Sequence, residues 1–309
     1  MSDYRVISGK TDIYAVIGDP VIHSLSPVVH NAVFQHEKLD KVYLALRVDK
    51  KGLKLAIDSV RLFGIKGLNV TMPLKEDVLK HLDHLSPEAE LIGAVNCVAN
   101  CDGVLKGYNT DSTGFWRSLE KISVGGQPDK VFIFGAGGVS KAIATKVAIR
   151  GVEVVYVTNR THERAVVLAN KLRCLKKTDI RVVEWNPESW RKVIGECHII
   201  VNCTSIGMNN RGDLAQIVPW LEIRNDAIIY ETIYEPFETN FIIKARELQL
   251  KAVGGINLFI HQACDSSRIW TCREPPYNVI AKAIRNYIKK NNAIKHWYIS
   301  SHHSSNRFD

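Results

Sequence analysis

The sequence has few of the features that mark a metal protein, a membrane protein or a disulfide framework. Its seven cysteines are odd in number and include no C-x-x-C pair, which indicates reduced thiols. The histidines follow no spacing typical of metal ligands, and no apolar run is long enough to cross a bilayer. We also expect no signal peptide at the N-terminus. The sequence therefore predicts a cytoplasmic protein without a metal or a membrane segment.

A nucleic-acid signature is lacking as well, although the net charge is +9. The lysines and arginines are scattered, and no helix-turn-helix or RNA-binding motif accompanies them. A general positive field favours small anions such as a carboxylic acid or a phosphorylated cofactor. At 309 residues, of which 46% are hydrophobic, the chain can form two domains with cores of their own. We expect it to bind a small molecule as a monomer or a homodimer.

One stretch carries a strong signal, the βαβ pattern from Val131 to Arg164. A buried strand at 131–134 leads into a glycine turn, a helix spans 139–150, and a second β-branched strand follows at 153–157. Such a turn lets the pyrophosphate of a dinucleotide approach bare backbone at a helix N-terminus. The residues expected to hold it are Gly135, Ala136, Gly137, Gly138 and Val139.

The end of the second strand discriminates between two dinucleotides. An NAD site would place an acidic residue about 20 residues after the glycines. This chain has Asn159, Arg160 and Thr161 there instead, with Arg164 one helical turn later. Guanidinium groups bind phosphate oxygens in pairs, which suits the 2′-phosphate of NADP. The alternative is a solvated helix start in which Glu163 pairs with a neighbour, but we predict NADP.

The rest of the chain alternates strands with helices, which predicts an α/β fold with parallel sheets. The stretch Ser123 to Asp129, rich in glycine, proline and polar residues, separates a unit at 12–122 from a dinucleotide-binding unit at 130–256. The remaining predicted segments are two closing helices, Leu258 to Trp270 and Asn278 to Lys290, and a disordered tail at 291–309.

Polar residues cluster where strands of the first unit end. Ser24 and Ser26 lie two residues apart in a loop, so that both hydroxyls can reach one small anion or simply cap the next helix. Asn69 and Thr71 alternate along a strand and project to the same side, with Lys75 close behind. Open α/β sheets bind ligands at such strand ends. These residues are candidate substrate contacts.

Two further candidates have a structural alternative. Asn96 lies inside the apolar run at 94–98, where a buried amide must be hydrogen-bonded whatever its role. Asp111, in the Asn-Thr-Asp at 109–111, either caps a helix or contacts a ligand. The residues alone leave both interpretations open.

Taken in order, these motifs resemble the shikimate dehydrogenase family over about residues 12 to 290. The chain reads S-x-S-P, N-V-T-x-P-x-K, G-A-V-N, N-T-D, G-A-G-G and N-R-T, followed by N-x-T-S-x-G-M at 202–208. The resemblance implies an α/β fold of two domains. The N-terminal substrate-binding domain has a parallel-type sheet and is completed by C-terminal helices at 257–290. A Rossmann-type NADP-binding domain is inserted between these two parts.

The resemblance also implies roles for individual residues in the reversible reduction of 3-dehydroshikimate to shikimate. Lys75 and Asp111 form the catalytic pair, in which Lys75 transfers the proton and Asp111 orients it. From the residues alone the proton carrier stays open, because burial and a carboxylate partner act on a lysine in opposite directions. Thr232 and Gly255 meet the nicotinamide end of the cofactor. The implied substrate contacts are Ser24, Ser26, Asn69, Thr71, Asn96, Asp111, Tyr234 and Gln262.

The chain departs from the family pattern at positions that remove no catalytic group. Ser112 replaces a glycine after Asn-Thr-Asp, and Glu231 replaces an aspartate three residues before Tyr234. Other departures are Asn257, Asp265 and Cys272.

Two other functions compete with this one. A quinate dehydrogenase, or one of dual specificity, would more commonly use NAD, and Arg160 and Arg164 count against it. A non-catalytic relative that binds a metabolite would not need the Lys75 and Asp111 pair.

Overall fold

The computed structural model describes residues 7–122, 128–208 and 211–303, with side chains as far as residue 290. Strands and helices alternate along the chain and form two six-stranded sheets. Strands from residues 12–108 form the first sheet, and strands from 130–253 form the second. The predicted α/β class is confirmed.

The first sheet is mixed rather than wholly parallel. Its strands are β1 (Asp12–Gly18), β2 (Lys41–Arg47), β3 (Gly67–Val70), β4 (His84–Leu85), β5 (Cys97–Cys101) and β6 (Val104–Tyr108), in the order β2-β1-β3-β5-β6-β4. β1 pairs in parallel with β2 and β3, whereas β5 runs antiparallel to β3 and β6. A tight turn joins β5 to β6, with Asp102 and Gly103 at φ angles of 52° and 93°. Such left-handed two-residue turns match the twist of an antiparallel hairpin.

The second sheet is parallel throughout its described pairings. Its strands are β7 (Lys130–Phe134), β8 (Val154–Thr158), β9 (Asp179–Val183), β10 (Ile199–Asn202), β11 (Ile228–Glu231) and β12 (Lys251–Val253). Their order is β12-β11-β10-β7-β8-β9, so the chain reverses its winding direction between β7 and β10. Ligands of doubly wound sheets bind at such a switch point. The glycine turn directly follows β7 and therefore lies there.

The helix after the glycine turn and the two closing helices lie close to their predicted positions, and the last of them is extended. The helices are α1 (Ser26–His36), α2 (Leu53–Leu62), α3 (Pro87–Ile92), α4 (Thr110–Glu120), α5 (Gly138–Ile149), α6 (His162–Leu172), α7 (Pro187–Ile194), α8 (Asn240–Glu247), α9 (Ile256–Thr271) and α10 (Tyr277–His303). A short 3₁₀ turn, Asp77–His81, follows Lys75.

The C-terminal stretch differs from the sequence prediction. α10 continues through residues 291–303, where we predicted a disordered tail, because this stretch contains no glycine or proline to end the helix. Residues 304–309, and residues 123–127 of the predicted linker, lie outside the described residues.

The two C-terminal helices pack on the N-terminal part of the chain. Phe259 and Ala263 of α9 and Ile280 of α10 share a core with Val29 and Val33 of α1. Beside this core, the Trp270 Nε1–H donates to the Val98 carbonyl in β5 at 2.9 Å. α9 is therefore attached to the first sheet at its far end.

Gly67 makes this attachment possible, because a side chain there would collide with an indole ring. A Cβ added at Gly67 would lie 2.4 Å from Trp270 Nε1. We expect Gly67→Ala to lower the free energy of unfolding by about 1–3 kcal/mol, as overpacking in a core does. Urea titration of the variant measures this. Gly9→Ala is the control, because an added Cβ there meets nothing within 4 Å; equal midpoints for the two variants would contradict the prediction.

Two further sequence expectations concern helices and thiols. None of the described helices has the length and apolar character needed to span a bilayer. All seven cysteines are free, and three of them, Cys101, Cys174 and Cys272, are exposed.

Candidate active site

A buried ion pair joins two elements of the first unit. Lys75 follows the turn after β3, and its Nζ lies 2.6 Å from Oδ2 of Asp111 in the first turn of α4. The two side chains are only 15% and 6% exposed. Asn109 caps α4, since its side chain accepts the N–H groups of Asp111 and Ser112. The Asp111 carboxylate is therefore not the cap and is available to Lys75.

Asn96 orients this carboxylate from the other side. Its Nδ2–H donates to Asp111 Oδ1 at 2.8 Å, and its Oδ1 accepts the backbone N–H of Thr110 at 2.6 Å. Both ends of the buried amide are thus satisfied, as burial requires. Because one of these hydrogen bonds is accepted by Asp111, the bonding that satisfies the buried amide also orients the carboxylate of the ion pair.

Asn69 extends this hydrogen-bond network from Asn96 to β2 and α9. Its Nδ2 donates to the Asn96 carbonyl and to Ser266 Oγ, both at 3.0 Å, and its Oδ1 accepts the Tyr43 hydroxyl at 2.7 Å. The sequence analysis missed Tyr43 and Ser266. Ser266 lies one helical turn after Gln262 on α9, a spacing that places both on one helix face.

Gln262 reaches the same network from α9. Its Oε1 accepts the Thr110 hydroxyl at 3.4 Å, and its Nε2 donates to the Phe259 carbonyl at 3.0 Å. Thr110 belongs to the Asn-Thr-Asp motif, but no role was predicted for it. α9 therefore contributes to the wall of the site, although it lies some 150 residues later in the chain.

Ser24, Ser26 and Tyr234 form a second group of polar residues, in which Tyr234 forms a hydrogen bond with Ser24. Leu25 precedes α1 and makes no side-chain cap bond, while the Ser26 N–H donates to Ser24 Oγ at 3.3 Å. Burial raises the pKa of Tyr234 to about 12, the negative charges of Glu235 and Asp111 add to the rise, and a hydrogen bond with Ser24 opposes it. The tyrosine therefore stays protonated and keeps its O–H as a donor.

Thr71 directly follows β3. It is half-buried, and its methyl group faces Gly18, where an added Cβ would lie 2.3 Å from Thr71 Cγ2. The close approach at Gly18 keeps β1 and β3 aligned at their ends. Of the predicted substrate contacts, Asn69, Asn96 and Gln262 are connected by hydrogen bonds to the segment that carries Asp111.

The glycine turn has the shape that a pyrophosphate needs. Gly135 adopts a φ of 109°, and an added Cβ would lie 3.0 Å from the Cys203 carbonyl oxygen. Gly137 is the N-cap of α5 without a side-chain cap bond, and nothing lies within 4 Å of a Cβ added there. Ala136 N–H donates to Asn159 Oδ1 at 3.1 Å, which holds the turn to the end of β8. Open space in front of an uncapped helix start fits an anion.

The arginines that follow β8 fit a second phosphate. Arg160, Thr161 and Arg164 are exposed, and no ion pair is found for either arginine within the described ranges. Glu163, which the alternative interpretation pairs with a neighbour, likewise forms no ion pair within the described ranges. Two unpaired guanidinium groups one helical turn apart are available to bind a 2′-phosphate.

Residues at the ends of β10 and β11 form the remaining wall. The Thr232 hydroxyl donates to the Asn202 carbonyl at 2.8 Å. A Cβ at Gly255 would lie 2.3 Å from the Ile233 carbonyl oxygen, so only glycine lets the two segments approach. Behind them Glu231 is buried and accepts hydrogen bonds from Asn202 Nδ2, the Thr239 hydroxyl and the Ile233 N–H.

Glu231 should make stability fall with rising pH. Burial raises the pKa of its carboxyl from 4.5 to about 7, although its three donors favour the charged form. The folded protein therefore holds a proton that the unfolded chain has already released, and the stability this contributes is lost as the pH rises through 7. We expect the unfolding free energy to drop by about 3 kcal/mol more in the wild type than in Glu231→Gln between pH 5 and pH 8. Urea titrations at both pH values measure this, and parallel pH dependences of the two proteins would refute it.

The two units meet at the ion pair itself. A Cβ added at Gly138, the first residue of α5, would lie 3.4 Å from Lys75 Cδ and 3.9 Å from Ala94 Cβ. A side chain at Gly138 would therefore be in van der Waals contact with Lys75, so the dinucleotide turn and the lysine lie close together. A nucleotide on the turn and a polar molecule beside Lys75 and Asp111 would share one cleft.

Comparison with protein families identifies both units. Residues 16–98 match the family described as "Shikimate dehydrogenase substrate binding domain", and residues 119–209 match "Shikimate / quinate 5-dehydrogenase". Together the two matches cover more than half of the chain.

Comparison with individual proteins extends over nearly the whole chain. The shikimate dehydrogenase (NADP(+)) of Alkaliphilus metalliredigens is 34% identical over 279 residues, which are 90% of this chain and 98% of that protein. The Listeria monocytogenes shikimate 5-dehydrogenase, solved with shikimate and NAD, is 35% identical with a TM-score of 0.82, covering 91% of this chain and 98% of that one. The Thermus thermophilus enzyme, solved with NADP(H) and shikimate, is 31% identical with a TM-score of 0.79, covering 89% and 99%.

Proposed function

The chain belongs to the shikimate dehydrogenase family, and from this premise we propose how its cleft carries out the reaction. It is an oxidoreductase of the shikimate pathway that acts on the CH–OH group of shikimate and uses NADP. The observation that carries the proposal is that Gly138 of the dinucleotide turn lies close to Lys75, which forms the ion pair with Asp111.

The cleft contains groups that match shikimate, a carboxylic acid with three ring hydroxyls. We assign the substrate carboxylate to the hydroxyls of Ser24, Ser26 and Tyr234. A hydroxyl can donate a hydrogen bond, and a carboxylate accepts one. The ring hydroxyls face the other polar groups of the site. These are Asn69, Thr71, Asn96, Asp111 and Gln262. The amides and the threonine hydroxyl both donate and accept, and the Asp111 carboxylate accepts, so that together they suit ring hydroxyls.

Lys75 is the proton carrier in this proposal. Both oxygens of Asp111 already accept hydrogen bonds, one from Lys75 and one from Asn96, so that this carboxylate is held in place. An ammonium has three donors, and the contact with Asp111 occupies one of them. In the reductive direction Lys75 gives a proton to the oxygen that becomes the C3 hydroxyl, and its charge stabilises the developing alkoxide. In the oxidative direction it takes that proton back.

The cofactor residues position the dinucleotide from its two ends. NADP supplies the hydride acceptor, or in reverse the donor, at its nicotinamide ring. Gly135, Ala136, Gly137, Gly138 and Val139 form the pyrophosphate turn. The 2′-phosphate lies with Asn159, Arg160, Thr161 and Arg164, and the nicotinamide end lies with Thr232 and Gly255. The closeness of Gly138 to Lys75 supports this orientation.

Nicotinamide absorbance of the purified protein with shikimate or quinate, each with NADP or NAD, tests the function. We expect fast turnover only with shikimate and NADP. Comparable turnover with quinate, which the family description also names, would indicate a dehydrogenase of dual specificity. No turnover with any pair, from folded protein that still binds shikimate, would indicate a non-catalytic relative.

We also propose a cytoplasmic location and a monomer or homodimer in solution. Three exposed free thiols persist in a reducing compartment. Sedimentation of the purified protein would reveal a larger assembly, and fractionation of cells would reveal another compartment.

A further inference from the structure

Two ion pairs connect α5 to the first unit. Lys141 Nζ lies 2.6 Å from Glu76 Oε2, and Lys146 Nζ lies 2.9 Å from Glu88 Oε1. Both lysines belong to the dinucleotide-binding unit, and both glutamates belong to the unit that carries Lys75. We call these two pairs the α5 clasp.

The clasp lies next to the reacting groups rather than at a distant edge. Glu76 directly follows Lys75 in the chain, and Lys141 is in the first turn of the helix whose start lies close to Lys75. The pair Lys141–Glu76 therefore connects the two segments next to the place where Gly138 approaches Lys75. Any shift of α5 along or away from the first unit must stretch it.

The second pair leads to the other member of the catalytic pair. Ser112 follows Asp111 in the first turn of α4, and its hydroxyl lies 2.8 Å from Glu88 Oε1, the same oxygen that binds Lys146. Glu88 thus joins α4 to α5. The hydroxyl is available because Ser112 stands where the family usually has glycine, so this link depends on a residue by which the chain departs from its family.

The lysines of the clasp are largely removed from water. Their side chains are 18% and 11% exposed, against 41% and 29% for the glutamates. Salt screens such pairs less than exposed ones. Beneath them an apolar core shared by α4 and α5, with Phe115 and Val147, keeps the two units together. Loss of the clasp should therefore displace α5 slightly and not separate the units.

We propose that the α5 clasp positions the dinucleotide-binding helix against Lys75 and Asp111, and thereby sets the distance over which the hydride moves. This rests on the proposed function. Lys141, Lys146, Glu76, Glu88 and Ser112 are positioning residues, because none of them reaches the reacting atoms. Misplacement by about 1 Å can cost about a hundredfold in rate, so even a small displacement of α5 is measurable.

Charge removal on the α5 side tests the clasp. We expect Lys141→Gln with Lys146→Gln to lower kcat by about tenfold, while the KM for shikimate stays within about twofold of the wild type, since the substrate contacts are untouched. Lys146→Arg keeps the positive charge, so it should retain most of the kcat that Lys146→Gln loses. Lys146→Gln should add little in a Glu88→Gln background, because both changes remove the same contact. Lys130→Gln is the matched control, since its pair with Glu196 lies within one unit.

A second readout does not depend on turnover. Hydrogen–deuterium exchange of the ligand-free double variant should be faster at residues 138–141 and 74–78 than in the wild type, and unchanged in Lys130→Gln. Unchanged kcat and exchange in the folded double variant would overturn the proposal. The proposal would also be overturned if kcat fell equally in Lys146→Arg and if this fall matched a general loss of stability. Failure of the proposed function itself would be visible separately, as an inactive wild type.

Discussion

Replacing Lys75 by alanine is expected to lower kcat by about 10³-fold while leaving shikimate bound, because the variant loses its proton carrier and keeps the substrate contacts. The remaining Asp111 carboxylate would lose the partner of its Oδ2 in a site where it is 6% exposed. A buried carboxylate without its partner destabilises the fold. Alanine at this position therefore changes both chemistry and stability.

Lys75→Gln separates these two effects. Its amide can still donate to Asp111, so the fold should hold, but it cannot transfer a proton at neutral pH. We expect the same loss of kcat, with a shikimate dissociation constant by calorimetry close to that of the wild type. Lys80→Ala is the control, an exposed lysine of the same segment, and should behave as the wild type. A Lys75→Gln variant that retains more than about a tenth of the wild-type kcat would contradict the assignment of general acid–base catalysis to this residue.

Removing Arg160 and Arg164 together should raise the KM for NADP by about a hundredfold and leave the KM for NAD unchanged. Each hydrogen bond to a charged group contributes about 1.5–3 kcal/mol, and both guanidinium groups are exposed and without ion pairs in the described parts of the chain. They are therefore free to bind the one group by which NADP differs from NAD. The value of kcat should change little, because the arginines lie at the adenosine end of the cofactor.

Initial rates at varied NADP and varied NAD measure this selectivity. Arg173→Ala is the control, because it removes one exposed arginine just beyond the other end of α6. If the double variant weakened NADP and NAD equally, the arginines would act on the fold or on the pyrophosphate turn and not on the 2′-phosphate. If the control reproduced the effect, a general change in charge would explain it.

Several features of the site could be predicted because they depend on short stretches. The glycine turn is recognisable since a left-handed Gly135 and an open Gly137 have a local cause in the strand-to-helix turn. The Asn159 to Arg164 segment follows the same unit at a defined distance. The ordered motifs predicted the right family, and Lys75 and Asp111 lie together as expected.

Other features were wrong or absent in the prediction because they depend on contacts between distant segments. Periodicity does not reveal that β5 pairs antiparallel to β3. Tyr43 and Ser266, which bind Asn69 from β2 and α9, have no local pattern that marks them.

The sequence by itself determined the α/β class, the glycine turn after β7 and the family, because strand and helix periods and turn residues are properties of neighbouring positions. Only the tertiary structure decided that Gly138 lies close to Lys75 and that α5 is tied to the first unit. These approaches join residues far apart in the chain. They follow from how the two sheets and α9 pack together, and that packing leaves no local signal in the sequence.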